Sequence, residues 1–536
     1  MTPGNLLPTE WLMMAVFIVG VLSWGIYMKG RISDLSDSFL AGRKVPGIIA
    51  SVSAIATNFN TNDFIGGVGA AYAMGLVMAH GSLLSGFVLI FICFVFLRQI
   101  RRLNVFTLGE WLRIRYSTAV GDIYSFVWVF VWMLINLGLY IYSGALVLRT
   151  LVGWNLFASI VLLTVVAATY TLLGGFGAVV ATDVLQMVLM FFPFLFLVPR
   201  IWMAAGGREG ILTGVDPQYV DIWSSQSPFG HIGIVVFGAL FLSLSYWSSE
   251  AQMIQRPLSA RSVDDAAVSY LGVGVWHTFI APLIIVIPGI AALKLFPNLS
   301  NNDFAMPMLI KTLVPPGLYG VTIIGLMAGF LSSADSQINA FCTMFITDIY
   351  RRRLARNRST AHYLRASKVS GAIFTAAAIG TAILFNYSKS GMMLMALSIL
   401  ATIMPPSAAV IIIGALWKKA GKTGALAGML GGFATGIALI TLDLNGKLTG
   451  FAAETLYLRA LITFVVSTVL TVAVSAIMRE GVNETYENTL SAADSEVPGV
   501  EPAGDVKRGL WENPKKLSIM LIISAVIVYT ILTIIF

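Results

Sequence analysis

Apolar runs about 20 residues long, enough to carry a helix across a hydrocarbon core of about 30 Å, recur along almost the whole of the 536-residue chain. Fourteen are drawn at 9–28, 45–76, 78–97, 119–148, 154–172, 178–199, 231–253, 267–293, 316–347, 367–386, 391–416, 423–442, 456–478 and 516–536. In lipid such a segment must satisfy its own backbone hydrogen bonds, so the expectation is an all-α polytopic membrane protein with about 14 transmembrane helices. The runs are too long for an outer-membrane barrel, whose strands are alternating segments of about 10 residues. Charged residues make up 11% of the chain and apolar residues 57%, with mean hydropathy +0.84, which excludes an ordinary soluble enzyme. The first run has no basic stretch ahead of it and is expected to be a retained span, not a cleaved signal.

Of the 34 Lys and Arg residues, 26 fall in the odd-numbered connections and 8 in the even-numbered ones. By the positive-inside rule the odd connections, including Arg98 to Arg115, Arg256 to Arg261 and Arg351 to Lys368, are cytoplasmic, and both termini lie outside. A plasma membrane location, the bacterial inner membrane, is expected. The net charge of +8 therefore reflects loop placement, and no nucleic-acid partner is expected. Segment 479–514, with Pro498 and Pro502 among acidic residues, is expected to be a cytoplasmic polar linker whose composition resembles disorder. Cys93 and Cys342 lie inside apolar runs, and His80, His231, His277 and His362 are scattered, so neither a disulfide framework nor a His-based metal site is indicated.

With no soluble domain of useful size, chemistry must reside among the helices. Asp63, Asp183, Glu250 and Asp335 fall at membrane depth, where an acid facing lipid costs several kcal/mol and so belongs to a cavity or a bundle interior. The second span carries Asn58, Asn60, Asn62 and Asp63 just before Gly66 and Gly67, a composition that a continuous lipid-facing helix does not tolerate. An unwound helix there exposes carbonyls, among them that of Ala56, suited to a monovalent cation. In the ninth span Gly329, Ser332, Ser333 and Ser336 recur at i, i+3, i+4 and i+7 and share one face. Their hydroxyls are hard oxygen ligands without the carboxylate cluster calcium requires, although such a stripe also serves ordinary helix packing. The seventh span sets Ser243, Tyr246, Trp247 and Glu250 together at mid-membrane, where aromatic rings stack on an organic solute or close a gate.

These features coincide with ordered motifs: SFLAGR at 38–43, FIGG at 64–67, TLGEWLRIRY at 107–116, YTLLGGFGAVVATDVLQ at 170–186, QRPLSARS at 255–262, LSSADSQ at 331–337, TDIYRR at 347–352 and ALWKK at 415–419. Over about residues 38–420 the chain resembles the sodium/solute symporter family, which includes sodium-coupled sugar, proline, pantothenate and sialic-acid transporters. The resemblance implies a leucine-transporter-like core, a five-plus-five inverted repeat with two broken helices, here spans two and seven. The expected domain plan is an extra helix and loop at 1–44, the transport core at 45–416, two further helices at 417–478, the linker at 479–514 and a last helix at 515–536. It implies a principal sodium site at the carbonyls of Ala56, Phe59 and Gly329 and the hydroxyls of Ser332 and Ser333. A second sodium site, found in some members, maps to Asp183, with Asp335 and Ser336 nearby; Asp335 stands where some two-sodium members carry a hydroxyl, which leaves the stoichiometry open. Tyr246 and its neighbour Asn58 match the family's gate, with Trp247 beside them.

By comparison with a galactose-transporting member, solute contacts fall on Asp63, Ser82, Ser85, Ser243, Thr278 and apolar Leu397, to which the polar Asn60 and Glu250 are added. The carboxylate, lysine and glutamine of that pocket are missing from the matching positions, so galactose is not carried over. The expected function is sodium-coupled secondary active symport of a small polar organic solute, such as a sugar or sugar acid, by alternating access. Proton coupling through Asp63, Asp183 or Glu250 is the alternative within transport, and a transporter-like solute sensor the alternative outside it. No His/Glu metal motif, nucleophile elbow or phosphate loop supports an enzyme. The expected partners are sodium, the solute and the lipid bilayer.

Overall fold

A computed structural model describes residues 6–29, 34–224, 231–387, 392–447, 455–480, 483–496 and 513–535. Among these the chain is helical, and its sole β feature is an isolated bridge between Val45 and Ala260. The principal helices are α1 (Pro8–Met28), α2 (Gly47–Asn58), α3 (Ala79–Ile92), α4 (Met133–Val147), α5 (Leu156–Phe191), α6 (Ile232–Ser249), α7 (Ala251–Ser259) and α8 (Val263–Ala281). They are followed by α9 (Tyr319–Met344), α10 (Thr360–Phe385), α11 (Met392–Leu416), α12 (Lys422–Leu444), α13 (Thr455–Met478) and α14 (Pro514–Ile535). Twelve helical stretches among the described residues are long and apolar enough to cross a membrane.

Two of the fourteen expected spans do not stand as separate stretches. The span at 45–76 is divided, leaving α2 only 12 residues long, while its second half, from Asp63, runs on as far as Arg102. That 40-residue stretch turns at Gly75, where φ is 68°. The spans at 154–172 and 178–199 share one 49-residue stretch that includes α5. Gly175 interrupts α5 with φ 63° and ψ −175°, a conformation that a side chain would strain. The Tyr170 hydroxyl hydrogen-bonds to Thr182 Oγ1, 12 residues away. In a straight helix that separation is about 18 Å, so α5 folds back on itself at Gly175.

Hydrophobic packing joins these helices into a single large core. α9 is its most enclosed member, buried along nearly its whole length and packed on α2, α4, α5 and α10. α2 packs against α8, and α3 against α6 and α8, with α14 against the outer side of α3 and α8.

One end of the bundle is closed by charged side chains. The Arg43 guanidinium donates to the carbonyls of Leu258 (3.2 Å) and Val105 (2.9 Å), and Arg101 donates to Ala260 O at 2.7 Å. Asp348 accepts from Thr107 Oγ1 and from Arg113, both at 2.9 Å. Within the expected linker, Glu484–Glu496 forms a helix that docks on this end: Tyr486 is buried and donates to Gln99 Oε1 at 3.0 Å. A composition poor in apolar residues folds here because one aromatic side chain finds a ring partner in Trp111 and a cation in Arg115.

Candidate functional site

The site begins where α2 stops. Phe59 is extended (φ −88°, ψ 99°), and the chain resumes helical form under a reciprocal cap. Asn62 N donates to Asn60 Oδ1 at 2.7 Å, while Asn60 N donates back to Asp63 Oδ2 at 3.1 Å. This is a capping box built from Asn and Asp, and it explains why polar residues cluster at this depth. Because Asn60 N turns to Asp63, the carbonyl of Ala56 lacks its usual partner four residues on.

α9 lies directly against this break. A Cβ on Gly329 would meet Met190 Sδ at 2.8 Å, Thr61 N at 3.1 Å and Asn60 C at 3.4 Å, so a side chain here would push the two backbones slightly apart. Ser333 Oγ donates to Thr57 O at 2.7 Å, and Thr61 Oγ1 donates to Leu326 O. The carbonyl and hydroxyl positions at Ala56, Phe59, Gly329, Ser332 and Ser333 therefore come from two elements that touch, and all five residues are buried. The oxygens of these five positions are all neutral, a donor set suited to an alkali cation.

The neighbouring acidic set is arranged differently from the expectation of a second sodium site. Asp183 accepts from Ser53 Oγ at 2.5 Å and Ser332 Oγ at 2.6 Å, and its Oδ2 lies 3.4 Å from Arg256 Nη2. The same guanidinium donates to the hydroxyls of Thr57 and Ser336, and Ser336 donates to Asp335 Oδ1 at 3.1 Å. Arg256, counted from sequence as a loop residue, is fully buried in α7 and already supplies this cluster with a cation. Asp183 and Ser336 thus have an occupant from the chain itself.

On the other side of the break is a cavity of about 190 Å³. Of the residues singled out in the sequence for the solute or the gate, Asn58, Asn60, Asp63, Ser82, Ser85, Ser243, Tyr246, Trp247 and Leu397 line it. Thr278 and Glu250 do not. Glu250 sits at the break between α6 and α7 and accepts from Trp132 Nε1 at 2.6 Å, so the indole, not the carboxylate, faces the cavity. Thr278 instead faces the backbone of α3, where a Cβ on Gly86 would lie 2.8 Å from its hydroxyl. No Lys or Arg borders the cavity among the described residues.

His277 borders it and was passed over in sequence, where a lone histidine in an apolar span reads as core. Tyr246 Oη donates to Asn58 Oδ1 at 2.9 Å, which turns the Asn58 amide nitrogen toward His277 Nε2, also at 2.9 Å. Nε2 then accepts, so the ring proton resides on Nδ1, which is buried without a partner. Trp247 meets the imidazole edge-on at 5.3 Å. Asn136 and Tyr140, also unmarked in the sequence, complete the polar wall, with Asn136 Nδ2 donating to Tyr140 Oη at 3.1 Å.

A broken helix, an oxygen cluster and a cavity that sets amides and hydroxyls among apolar walls, enclosed by many apolar helices, fit a polytopic membrane transporter, not an enzyme. The sequence model of the sodium:solute symporter family matches residues 38–432, and the chain belongs to that family. A sodium/glucose cotransporter of Vibrio parahaemolyticus is 27% identical over 78% of this chain and 82% of its own length. Sodium/myo-inositol cotransporter 2 of Mus musculus is 27% identical over 81% of this chain and 70% of its own. Among solved structures, an outward-open sodium-coupled sialic acid symporter with substrate bound matches with a TM-score of 0.74 at 20% identity, covering 87% of this chain and 98% of its own. At that identity the likeness bears on the fold alone. A nucleobase-cation-symport-1 family transporter shares it more distantly, with a TM-score of 0.52 at 13% identity over 84% of this chain and 98% of its own.

Proposed function

We propose that the protein is a sodium-coupled symporter that imports a neutral polyhydroxylated solute, a sugar or cyclic polyol, by alternating access. The observation that carries this reading is the pairing of a cavity rich in amides and hydroxyls, free of Lys and Arg among the described residues, with neutral oxygens at the adjoining helix break. An anionic sugar acid would find Asp63 and no counter-charge there. The names of the glucose and myo-inositol relatives point the same way. Sodium, the co-transported ion, is assigned to Ala56, Phe59, Gly329, Ser332 and Ser333. Tyr246, Asn58 and Trp247 form the gate, while Asn60, Asp63, Ser82, Ser85 and Ser243 face the solute, with His277 added. One sodium moves per cycle, because Arg256 holds the Asp183, Asp335 and Ser336 cluster.

The chain makes fourteen crossings: the fold-back at Gly175 and the turn at Gly75 support counting two more than the twelve long stretches. Its core is an inverted repeat within 45–416, flanked by the additional helices, with the closed basic end cytoplasmic and both termini outside a bacterial inner membrane. Sodium should raise the melting temperature of the purified protein by mass action, by about 2.7 kcal/mol of stability at 100 times its dissociation constant. Potassium or choline should not, and Ser332→Ala with Ser333→Ala should abolish the response. Equal stabilisation by potassium, or accumulation of solute in proteoliposomes on a proton gradient alone, would overturn sodium coupling.

A further inference from the structure

A second cavity, of about 150 Å³, lies at the basic end of the bundle, away from the solute cavity. Lys29 at the end of α1 and Lys368 on α10 both line it, together with Ser38, Thr171, Ser367 and Asn339. No carboxylate borders it, and neither lysine makes an ion pair among the described residues. Two like charges are thus turned toward one space with nothing to neutralise them.

The hydroxyls add a second observation. Ser38 and Ser367 are 9% and 6% exposed, and neither side chain has a hydrogen-bond partner among the described residues, whereas Thr171 Oγ1 donates to Ala167 O at 2.7 Å. Both serines border the same cavity as the two ammonium groups, which leaves their hydroxyls free to donate into it. Two cations and two free hydroxyl donors form a receptor for a compact oxyanion, the chemistry of a phosphate group.

The apolar surroundings decide between a free ion and a lipid. Ile26 and Tyr27, just before Lys29, are 61% and 56% exposed, and Val369 and Ile373, just after Lys368, are 61% and 66% exposed. Both lysines therefore stand at the water-side ends of exposed apolar surfaces, where acyl chains would run while the headgroup reaches the ammonium groups. We infer that this cavity is a binding site for the phosphate group of an anionic phospholipid, seated between α1 and α10. The inference does not depend on which solute or ion is carried.

The test is lipid retention by the purified full-length protein, read by native mass spectrometry with phosphatidylglycerol and phosphatidylcholine in competition. Wild type should retain phosphatidylglycerol selectively, and Lys29→Gln with Lys368→Gln should weaken it about thirtyfold. Lys419→Gln, an exposed basic residue outside the cavity, should leave retention unchanged. The Lys29→Arg, Lys368→Arg pair should restore it, and Ser38→Ala with Ser367→Ala gives an independent, milder loss should the glutamine pair fail to fold. Unchanged retention in the glutamine pair, or equal retention of phosphatidylcholine, would overturn the site. Displacement of the lipid by millimolar inorganic phosphate would overturn the lipid assignment and leave a site for free phosphate.

Discussion

The Arg256 guanidinium lies 3.4 Å from the Asp183 carboxylate, and neither side chain has any exposure to solvent. The pair joins α7, just past the break at Glu250, to the second arm of α5, beside the hydroxyl stripe of α9. Removing one partner from such a pair strands a buried charge, which typically costs about 3–5 kcal/mol. Arg256→Gln is expected to lower stability by that order in chemical or thermal unfolding, and Asp183→Asn to do the same. The double substitution should recover part of the loss, since it leaves neither charge alone. Sodium titrations of the wild type should show a single binding step, and a two-ion stoichiometry by isotope flux would refute the assignment of the acidic cluster to Arg256.

His277→Ala removes the ring N–H at Nδ1, a buried donor that the Tyr246, Asn58 and His277 chain leaves unused. For the member of a sugar and polyol panel that stabilises wild type most, affinity should fall by up to about tenfold, the scale of one neutral hydrogen bond of about 0.5–1.5 kcal/mol. Sodium stabilisation should be largely kept, because the imidazole meets Phe59 through its ring, with centroids 4.7 Å apart, whereas the oxygen assigned to the cluster there is the backbone carbonyl. Loss of the sodium response with solute affinity intact would be the opposite of this expectation.

Arg43 holds the basic end closed through three backbone carbonyls, on Leu258, Asn104 and Val105. Burial, with Arg101 nearby, pulls its guanidinium down to about 10, which still leaves it charged at neutral pH. Arg43→Ala should favour opening at that end by about tenfold or more, since bonds from a charged donor contribute about 1.5–3 kcal/mol each. A cysteine replacing Ala340, buried beneath these contacts, should react correspondingly faster with maleimide once Cys93 and Cys342 are replaced by alanine.

Asp303, in the connection before α9, is buried and accepts from Met392 N at 2.9 Å. Burial raises its carboxyl from 3.8 to about 6, the bond from Met392 opposing that rise. The folded state therefore holds the proton more tightly than the unfolded state. The resulting contribution is full below about pH 4 and is lost as pH rises through about 6. Asp303→Asn should raise stability near pH 7.5 by about 2–3 kcal/mol relative to wild type, and the difference should vanish by about pH 4. A difference that stays constant across that range would contradict the burial argument.

How much of this could be read in the sequence follows from what each residue does locally. The helix break announced itself because Asn60 and Asp63 cap a helix with their own side chains, a device written within four residues. The stripe of Gly329, Ser332 and Ser333 was legible for the same reason, since helical periodicity places all three on one face. Arg256 was not, because its partners lie 73 and 80 residues away in sequence, and beside Pro257 it has the look of a loop. Glu250 misled in the other direction: an acid at membrane depth suggests a cavity, but the indole of Trp132, on another helix, stands in front of it. The fold-back at Gly175 was visible as two spans, though the helical run across it hides the turn until Tyr170 and Thr182 are seen to meet.

The reciprocal cap has a consequence for energy transduction. Because Asn60 and Asp63 cap the second half of the interrupted helix by themselves, the interruption is a resident feature of the chain and does not wait for an ion to create it. Ordering one residue's backbone costs about 1–2 kcal/mol, so an ion that had to organise this turn would forfeit much of its affinity. Here that ordering is complete beforehand. On the proposed ion site, a difference in ion affinity between the two faces of the transport cycle would then come from how closely α9 approaches the interruption, so that the separation of Gly329 from Thr61 would be the coordinate coupling the ion gradient to the solute.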